Sequence, residues 1–143
     1  MKVKQISVFL ENKIGRLAEI TSLLGQSGIN IRALAIADTA EFGILRMIVD
    51  KPEEALKGLK EKGFAAKQTD VIVVKVPDKP GGLARILEIL KESAFNVEYL
   101  YAFVKKSGED AFVVFRIENI DEAIASLREN GIEILGPEDV YSM

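Results

Sequence analysis

The chain contains no cysteine, no histidine and no tryptophan among its 143 residues. Without cysteine, it can form no disulfide, no zinc–thiolate site and no thiol nucleophile. Without histidine, it lacks the side chain that proteins use most often as a general base and as a transition-metal ligand. These absences argue against an enzyme, and we predict no catalytic residues, no metal site and no cofactor.

Positive charge and long apolar runs are also scarce. The formal net charge is -3, whereas nucleic-acid phosphates favour a basic surface, so we expect no nucleic-acid partner. No stretch approaches the length of a membrane span, and we expect no membrane association. The opening run MKVKQISVFLENK alternates apolar and polar residues without a cleavage site, which indicates a strand rather than a signal peptide. We therefore expect a cytoplasmic protein.

The sequence contains a repeated motif, ENKIGRLAEI at 11–20 and PDKPGGLARI at 77–86. An offset of 66 positions aligns many further identities between the two copies, and an offset of 68 aligns their later parts. The two extra residues fall near the turn-rich segment KKSGED at 105–110, where an insertion is easily tolerated. This pattern indicates an internal duplication, and we predict two domains, 1–68 and 69–143.

Each copy has the pattern of the same series of elements, βαββαβ. Ile6, Val8 and Leu10 alternate with polar residues, as in a half-buried strand, and leucine and isoleucine at helical spacing follow. Asn119 is a predicted helix cap, with Glu122 at capping-box spacing. The segment AAKQTDVIVVKV joins the copies without a flexible linker. We predict an α+β protein of two tandem ferredoxin-like modules, each an antiparallel sheet with both helices on one face.

The repeated motif lies where the first strand of each copy leads into the first helix. Gly15 and Gly81 permit a sharp turn and a close approach of a ligand to the backbone. The amides that follow lack intrahelical partners and lie at the positive end of the helix dipole, which favours a carboxylate. Asn12 and Asp78 precede the turn, where they could accept from an ammonium group. A purely structural alternative is that glycine only makes the turn and that Asn or Asp caps the helix. The spacing of these residues alone favours this alternative.

The segments ENKIGRL with GINI, and PDKPGGL with FNVEYL, resemble the signature of ACT domains over essentially the whole chain. ACT domains are small regulatory modules with the order βαββαβ, and Ile14 departs from the proline usual in their loop. The resemblance implies a small ligand, most often an amino acid, at the seam between paired modules, where one glycine loop faces the second strand of the other module. The implied ligand residues are Asn12, Lys13, Ile14, Gly15, Arg16, Leu17, Asn30, Ile31, Asp78, Lys79, Pro80, Gly81, Gly82, Leu83, Asn96 and Val97.

From this resemblance we expect a stand-alone regulatory sensor that acts as a homodimer or with an enzyme partner. One alternative is a trans-acting regulatory subunit that docks on a metabolic enzyme. Another is an RNA-binding module, because AFVVF at 111–115 is similar to part of the aromatic strand motif of such modules. However, the basic-glycine pair is missing before it, and Phe112 and Phe115 point to opposite faces, so at least one belongs to the core.

The second strands of the two copies differ in side-chain size. One presents alanine on a single face where the other presents aromatic rings, and small against large side chains are typical of surfaces that interdigitate. We therefore predict close pairing of the two halves, or a homodimer. The aligned positions are Ala33, Ala35 and Ala37 in the first copy and Tyr99, Tyr101 and Phe103 in the second.

Overall fold

The computed structural model describes residues 1–38, 41–106 and 108–143. Its elements follow the order βαββαβ twice, with one long strand, Ala65–Pro77, serving as the last strand of the first copy and the first strand of the second. This confirms the predicted fold class. None of the helices in the described ranges is long and apolar enough to cross a membrane. The elements are β1 (Val3–Glu11), α1 (Arg16–Gln26), β2 (Ile31–Asp38), β3 (Phe42–Val49), α2 (Pro52–Glu61), β4 (Ala65–Pro77), α3 (Gly82–Glu92), β5 (Val97–Lys106), β6 (Asp110–Ile117), α4 (Ile120–Glu129), β7 (Ile134–Leu135) and α5 (Pro137–Tyr141).

The chain folds into two compact units. The amino-terminal unit consists of Lys4–Thr69 with Tyr141–Met143, and the carboxyl-terminal unit of Met1–Val3 with Asp70–Val140. The predicted absence of a flexible linker is confirmed, because β4 is one strand of 13 residues. That the segments 1–68 and 69–143 each form a domain stays a prediction. The insertion predicted at 105–110 includes Ser107, which lies outside the described residues.

In the amino-terminal unit the hydrogen-bonded strand order is β2-β3-β1-β4. Strand β3 pairs antiparallel with both β1 and β2. Helices α1 and α2 lie on one face of this sheet, and their apolar side chains meet those of the strands in one core. The buried residues of this core are Ile6, Val8, Leu10, Ile20, Leu24, Ile29, Leu45, Met47, Val49, Ala55 and Leu59.

The carboxyl-terminal unit repeats this arrangement. Strand β4 pairs antiparallel with β6 and with β7, and β6 pairs antiparallel with β5. Helices α3 and α4 supply the apolar residues that cover the sheet. The buried residues of this second core are Ile72, Val74, Val76, Ile86, Ile89, Leu90, Val113, Phe115, Ile117, Ile120, Ala123, Leu127, Ile132 and Ile134. Both units therefore have the ferredoxin-like arrangement that the sequence predicts.

Strand β1 is not half-buried as its alternation predicts. Besides the apolar residues that face the helices, Gln5 is 0% and Ser7 is 7% exposed. The Gln5 side-chain amide donates a hydrogen bond of 3.2 Å to the Ser7 hydroxyl. Because these polar groups bond to one another, their burial costs less than it would for isolated groups. Both faces of β1 are thus covered in its central part.

The predicted capping box at the start of α4 is wrong, because the side-chain hydrogen bond that it requires does not form. Asn119 is the residue before the helix, but its side chain makes no capping hydrogen bond. The acidic side chains of Asp121 and Glu122 lie in the first turn, where they complement the positive end of the helix dipole. Helix α5 was not predicted, because five residues are too few to show helical periodicity.

The aromatic residues of β5 and β6 pack within the carboxyl-terminal unit. The rings of Phe103 and Phe112 stack with their centroids 5.3 Å apart. Phe112 is 8% and Phe115 is 0% exposed, which confirms that at least one of them is buried and shows that both are. This burial argues against the RNA-binding alternative, which needs exposed rings on which bases can stack. The pairing of the two halves through Tyr99 and its neighbours stays a prediction.

Gly82, at the start of α3, allows close packing of that helix on β4. A Cβ atom at Gly82 would overlap the carbonyl oxygen of Pro77 and lie 3.1 Å from Cγ1 of Val76, whereas at Gly58 in α2 it would meet nothing within 4 Å. We therefore expect Gly82→Ala to lower the free energy of unfolding by about 1–3 kcal/mol. The matched change Gly58→Ala should raise it by about 0.5–1 kcal/mol. Urea unfolding measures both, and stabilisation by Gly82→Ala would contradict the close packing.

Candidate functional site

The two glycine loops form the same turn. The amide of Arg16 donates to the carbonyl of Lys13 at 3.3 Å, and the amide of Gly82 donates to the carbonyl of Lys79 at 3.0 Å. Gly15 has φ 90° and ψ -11°, and Gly81 has φ 86° and ψ -8°. These angles are those of the third residue of a type II β-turn, which requires a positive φ. A sharp turn at both glycines is thereby confirmed.

Each turn leads directly into a helix without a side-chain cap. Gly15 and Gly81 are themselves the residues that precede α1 and α3, and no side-chain capping bond forms at either helix. Because glycine occupies both cap positions, neither Asn12 nor Asp78 is the N-cap residue of its helix. The Asp78 carboxylate instead accepts a hydrogen bond of 3.0 Å from the amide of Gly108, which ties the loop to the turn between β5 and β6.

The space over both glycines is open. A Cβ atom at Gly15 or Gly81 would meet no described atom within 4 Å. Ile14, beside the first glycine, is fully exposed. The first-turn amides of each helix carry the positive end of the helix dipole, so this open space is electrostatically favourable for an anion.

Beside the second loop lies a cavity of about 370 Å³, formed by residues of the carboxyl-terminal unit. Lys79, Pro80, Gly81 and Gly82 line one side of it. The opposite side comes from β4, the start of β6 and the turn after α4. The further lining residues are Lys75, Pro77, Arg85, Ile86, Asp110, Gly131, Ile132 and Glu133.

The charge of Lys75 in this cavity is balanced by two carboxylates. Its ammonium nitrogen lies 3.5 Å from the nearest Asp110 oxygen and 3.4 Å from the nearest Glu133 oxygen. The negative charge of Asp110, and then that of Glu133, raises the pKa of Lys75 above its usual range. Lys79 and Arg85 also line the cavity. The site beside the second loop therefore presents charges of both signs.

The first loop has a corresponding cavity of about 260 Å³ in the amino-terminal unit. It lies between the residues that flank the glycine loop, Glu11 and Arg16, and the turn after the second helix of its unit, and residues 12–15 do not line it. Its lining is formed by Phe9, Leu10, Glu11, Arg16, Glu19, Lys62, Gly63, Phe64 and Ala65.

Two ion pairs organise the charges at this first cavity. The Glu11 carboxylate lies 2.7 Å from the Lys13 ammonium, and the Arg16 guanidinium lies 3.2 Å from the Glu19 carboxylate. The hydrogen bond from Lys13, and then the charge of that lysine, lowers the pKa of Glu11 below its usual range. This cavity therefore also presents charges of both signs.

Sequence reasoning identified the loops but missed most of the cavity walls. Lys75, Arg85, Asp110 and Glu133 come from different elements, and the topology alone brings them together. The repeat did carry one usable signal. Gly63 and Gly131 align with each other and both line a cavity, so the turn after the second helix was a recognisable companion of the glycine loop.

The structure does not bring all predicted ligand residues together within one module. Asn30 and Asn96 follow α1 and α3, whereas the glycine loops precede these helices. Each of the two helices has 11 residues, and a helix of this length spans roughly 16 Å. Ile31 and Val97 are half-buried and pack against the cores of their units. A site that combines a glycine loop with one of these asparagines needs residues of two modules and stays a prediction.

The two leucines that follow the loops lie in different surroundings. Leu17 in α1 is 38% exposed. Leu83 in α3 is half-buried and packs against the core of the carboxyl-terminal unit. The packing of Leu83 fixes the first turn of α3 and, with it, the amides that follow Gly81.

The sequence matches the family described as an ACT domain pair over residues 1–143, and the chain belongs to this family. Among solved structures, protein BT0572 from Bacteroides thetaiotaomicron is 43% identical; the match covers 100% of this chain and 98% of that chain, with a TM-score of 0.95. The regulatory subunit of aspartate kinase from Thermus thermophilus is 19% identical, with coverages of 88% and 91% and a TM-score of 0.64.

The regulatory subunit of aspartate kinase from Thermus flavus is 18% identical, with coverages of 87% and 88% and a TM-score of 0.63. At these identities the two aspartate kinase subunits show that the fold is shared and nothing further. A comparison with curated proteins gave no match. The family, the fold and the twofold repeat of a regulatory module are therefore established.

Ile14 occupies the second position of its turn, where Pro80 stands in the other loop. A type II turn needs φ near -60° at this position, which proline adopts without strain. We expect Ile14→Pro to raise the free energy of unfolding by about 0.4–1 kcal/mol, because it restricts the unfolded chain. The reciprocal change Pro80→Ile should lower it by a similar amount. Urea unfolding of both variants tests the shared turn type, and a destabilising Ile14→Pro would contradict it.

The raised pKa of Lys75 predicts a loss of stability at alkaline pH. Its contribution is complete below about pH 10.4, the usual lysine value in unfolded chains, and declines as the pH rises through the higher pKa of the folded state. The Lys75→Met variant lacks this titration. As the pH rises through that range, the wild type should therefore lose unfolding free energy relative to this variant. A difference that does not change with pH would show that the pairing with Asp110 and Glu133 contributes nothing.

Proposed function

We propose that this protein is a regulatory sensor that binds a free amino acid at its glycine loops and has no catalytic activity of its own. The observation that carries the proposal is that the same glycine loop occurs in both units. Both Gly15 and Gly81 adopt the same left-handed conformation, lie under open space and precede a helix without a side-chain cap. Membership of a family of regulatory modules supports the same conclusion.

The chemistry of the loops suits a zwitterion. The carboxylate of the ligand is placed at the first amides of either helix, at residues 15–17 or 81–83, where the helix dipole favours negative charge. Because the amides of Arg16 and Gly82 donate within their turns, its donors are the amides of Gly15 and Leu17 or of Gly81 and Leu83. Its ammonium group is placed near Asn12 in the first site or Asp78 in the second. One Asp78 oxygen accepts from Gly108, and a carboxylate has further acceptor capacity for an ammonium donor.

The remaining parts of the site belong to the same proposal. Asn30 or Asn96 closes the site from a second module, since each lies at the far end of its own helix from the loop. This geometry needs paired modules, within the chain or in a homodimer, and a cytoplasmic location gives access to free amino acids.

A second candidate function is a trans-acting regulatory subunit that docks on a metabolic enzyme. Strands β2 and β5 lie at the ends of the described strand order. Leu34 is 50% and Ile36 44% exposed on β2, and Val104 is 51% exposed on β5. An edge strand with exposed apolar side chains is a surface to which another chain can add a strand.

A thermal-shift screen of the twenty amino acids, followed by calorimetry, tests the sensor. A ligand that binds only the folded state raises the apparent stability by mass action. Gly15→Ala and Gly81→Ala place a methyl group where the carboxylate approaches, so each variant should lose binding at its own site. Each should also lose about 1–2 kcal/mol of unfolding free energy, because alanine is strained at a positive φ.

Gly28→Ala is the control for that strain. Gly28 has φ 70° and lies at the opposite end of α1 from the first loop. This variant should lose similar stability and keep its ligand affinity. Unchanged affinity and stoichiometry in the double loop variant would contradict the proposed site. The absence of heat with any amino acid would favour the docking function instead.

A further inference from the structure

A further cavity of about 330 Å³ lies in the amino-terminal unit, on the sheet face that points away from α1 and α2. Across this face Ser7 is opposite Arg46, and Phe9 is opposite Ile44. These residues alternate with the core residues of β1 and β3, so their side chains point away from the helices. Ala65, Ala66 and Lys67 of β4 complete the lining, which is largely apolar.

This cavity adjoins the cavity beside the first glycine loop. Phe9 and Ala65 line both of them. The Phe9 side chain is 56% exposed although it is large and aromatic. The small methyl group of Ala65 leaves room next to that ring. A ligand whose head group lies at the glycine loop can therefore extend past these two residues onto an apolar surface.

The carboxyl-terminal unit is built differently at the corresponding positions. The repeat aligns Phe9 with Lys75 and Ala65 with Glu133. Lys75 and Glu133 form an ion pair of 3.4 Å, and Lys75 lies 3.5 Å from Asp110 as well. The passage that Phe9 and Ala65 leave open in one unit is thus spanned by charged side chains in the other. Two sites with the same turn consequently offer different surroundings to the side chain of a ligand.

We infer that the first site selects an amino acid with a large apolar side chain, aliphatic or aromatic, which lies past Phe9 and Ala65 in the adjoining cavity. The inference rests on the proposed function, since the glycine loop holds the head group. The aliphatic stems of Arg46 and Lys67 extend the apolar surface, and the charge of Lys67 disfavours a cationic ligand side chain. Lysine and arginine are therefore excluded as ligands of this site.

Calorimetry with leucine, phenylalanine, alanine and lysine tests the inference. The titrations use the full chain carrying Gly81→Ala, so that the first loop supplies the site, with the wild type as reference. The affinity for leucine or phenylalanine should be at least about tenfold higher than the affinity for alanine. A difference of this size is within the range that apolar pockets achieve for added methylene groups. Lysine should bind more weakly than alanine.

The variant Phe9→Lys introduces the residue of the other unit and should abolish the preference for leucine over alanine. Val104→Lys is the matched control, because Val104 is also exposed, at 51%, and lines neither cavity. It should leave the preference intact. Ala65→Leu provides a second variant, in which the added side chain fills the passage and lowers leucine affinity more than alanine affinity.

The outcomes separate this inference from the function on which it rests. Equal affinities for leucine and alanine, or a preference that survives both Phe9→Lys and Ala65→Leu, overturn the apolar selectivity and leave the sensor in place. No heat with any amino acid in the wild type overturns the sensor itself and, with it, the selectivity.

Discussion

The positive φ of the loop glycine in each module is the constraint on which the rest of the site depends. Gly15 and Gly81 adopt a backbone conformation that other residues reach only with strain. This conformation reverses the chain at the end of a strand, starts a helix within one residue and leaves no side chain over the first amides. The open surface at which we propose that the ligand carboxylate binds is thus a direct consequence of the turn.

The duplication has kept this backbone and changed the side chains around it. Ile14 stands for Pro80 and Phe9 for Lys75, while the two glycines have nearly the same angles. In the proposed function the shared backbone holds the head group in the same way at both loops, whereas the different walls distinguish side chains. One fold then provides two sites of different selectivity.

The sequence predicted the features that depend on local pattern and repetition. The order of elements, the sharp turns at Gly15 and Gly81 and the continuity of β4 follow from periodicity and from the conformational freedom of glycine. It did not predict the burial of Gln5 and Ser7, because alternation cannot reveal that both faces of a strand are covered. Nor did it predict how charged residues converge at the cavities, since register and crossover connections bring distant segments together.

Amide chemical shifts measured by NMR on addition of a bound amino acid test the central claim most directly. The account predicts that the largest changes occur at the amides of residues 15–17 or 81–83, because the negative charge of the ligand carboxylate lies against these helix starts. Changes confined to the edge strands β2 and β5, with both helix starts unaffected, would contradict it.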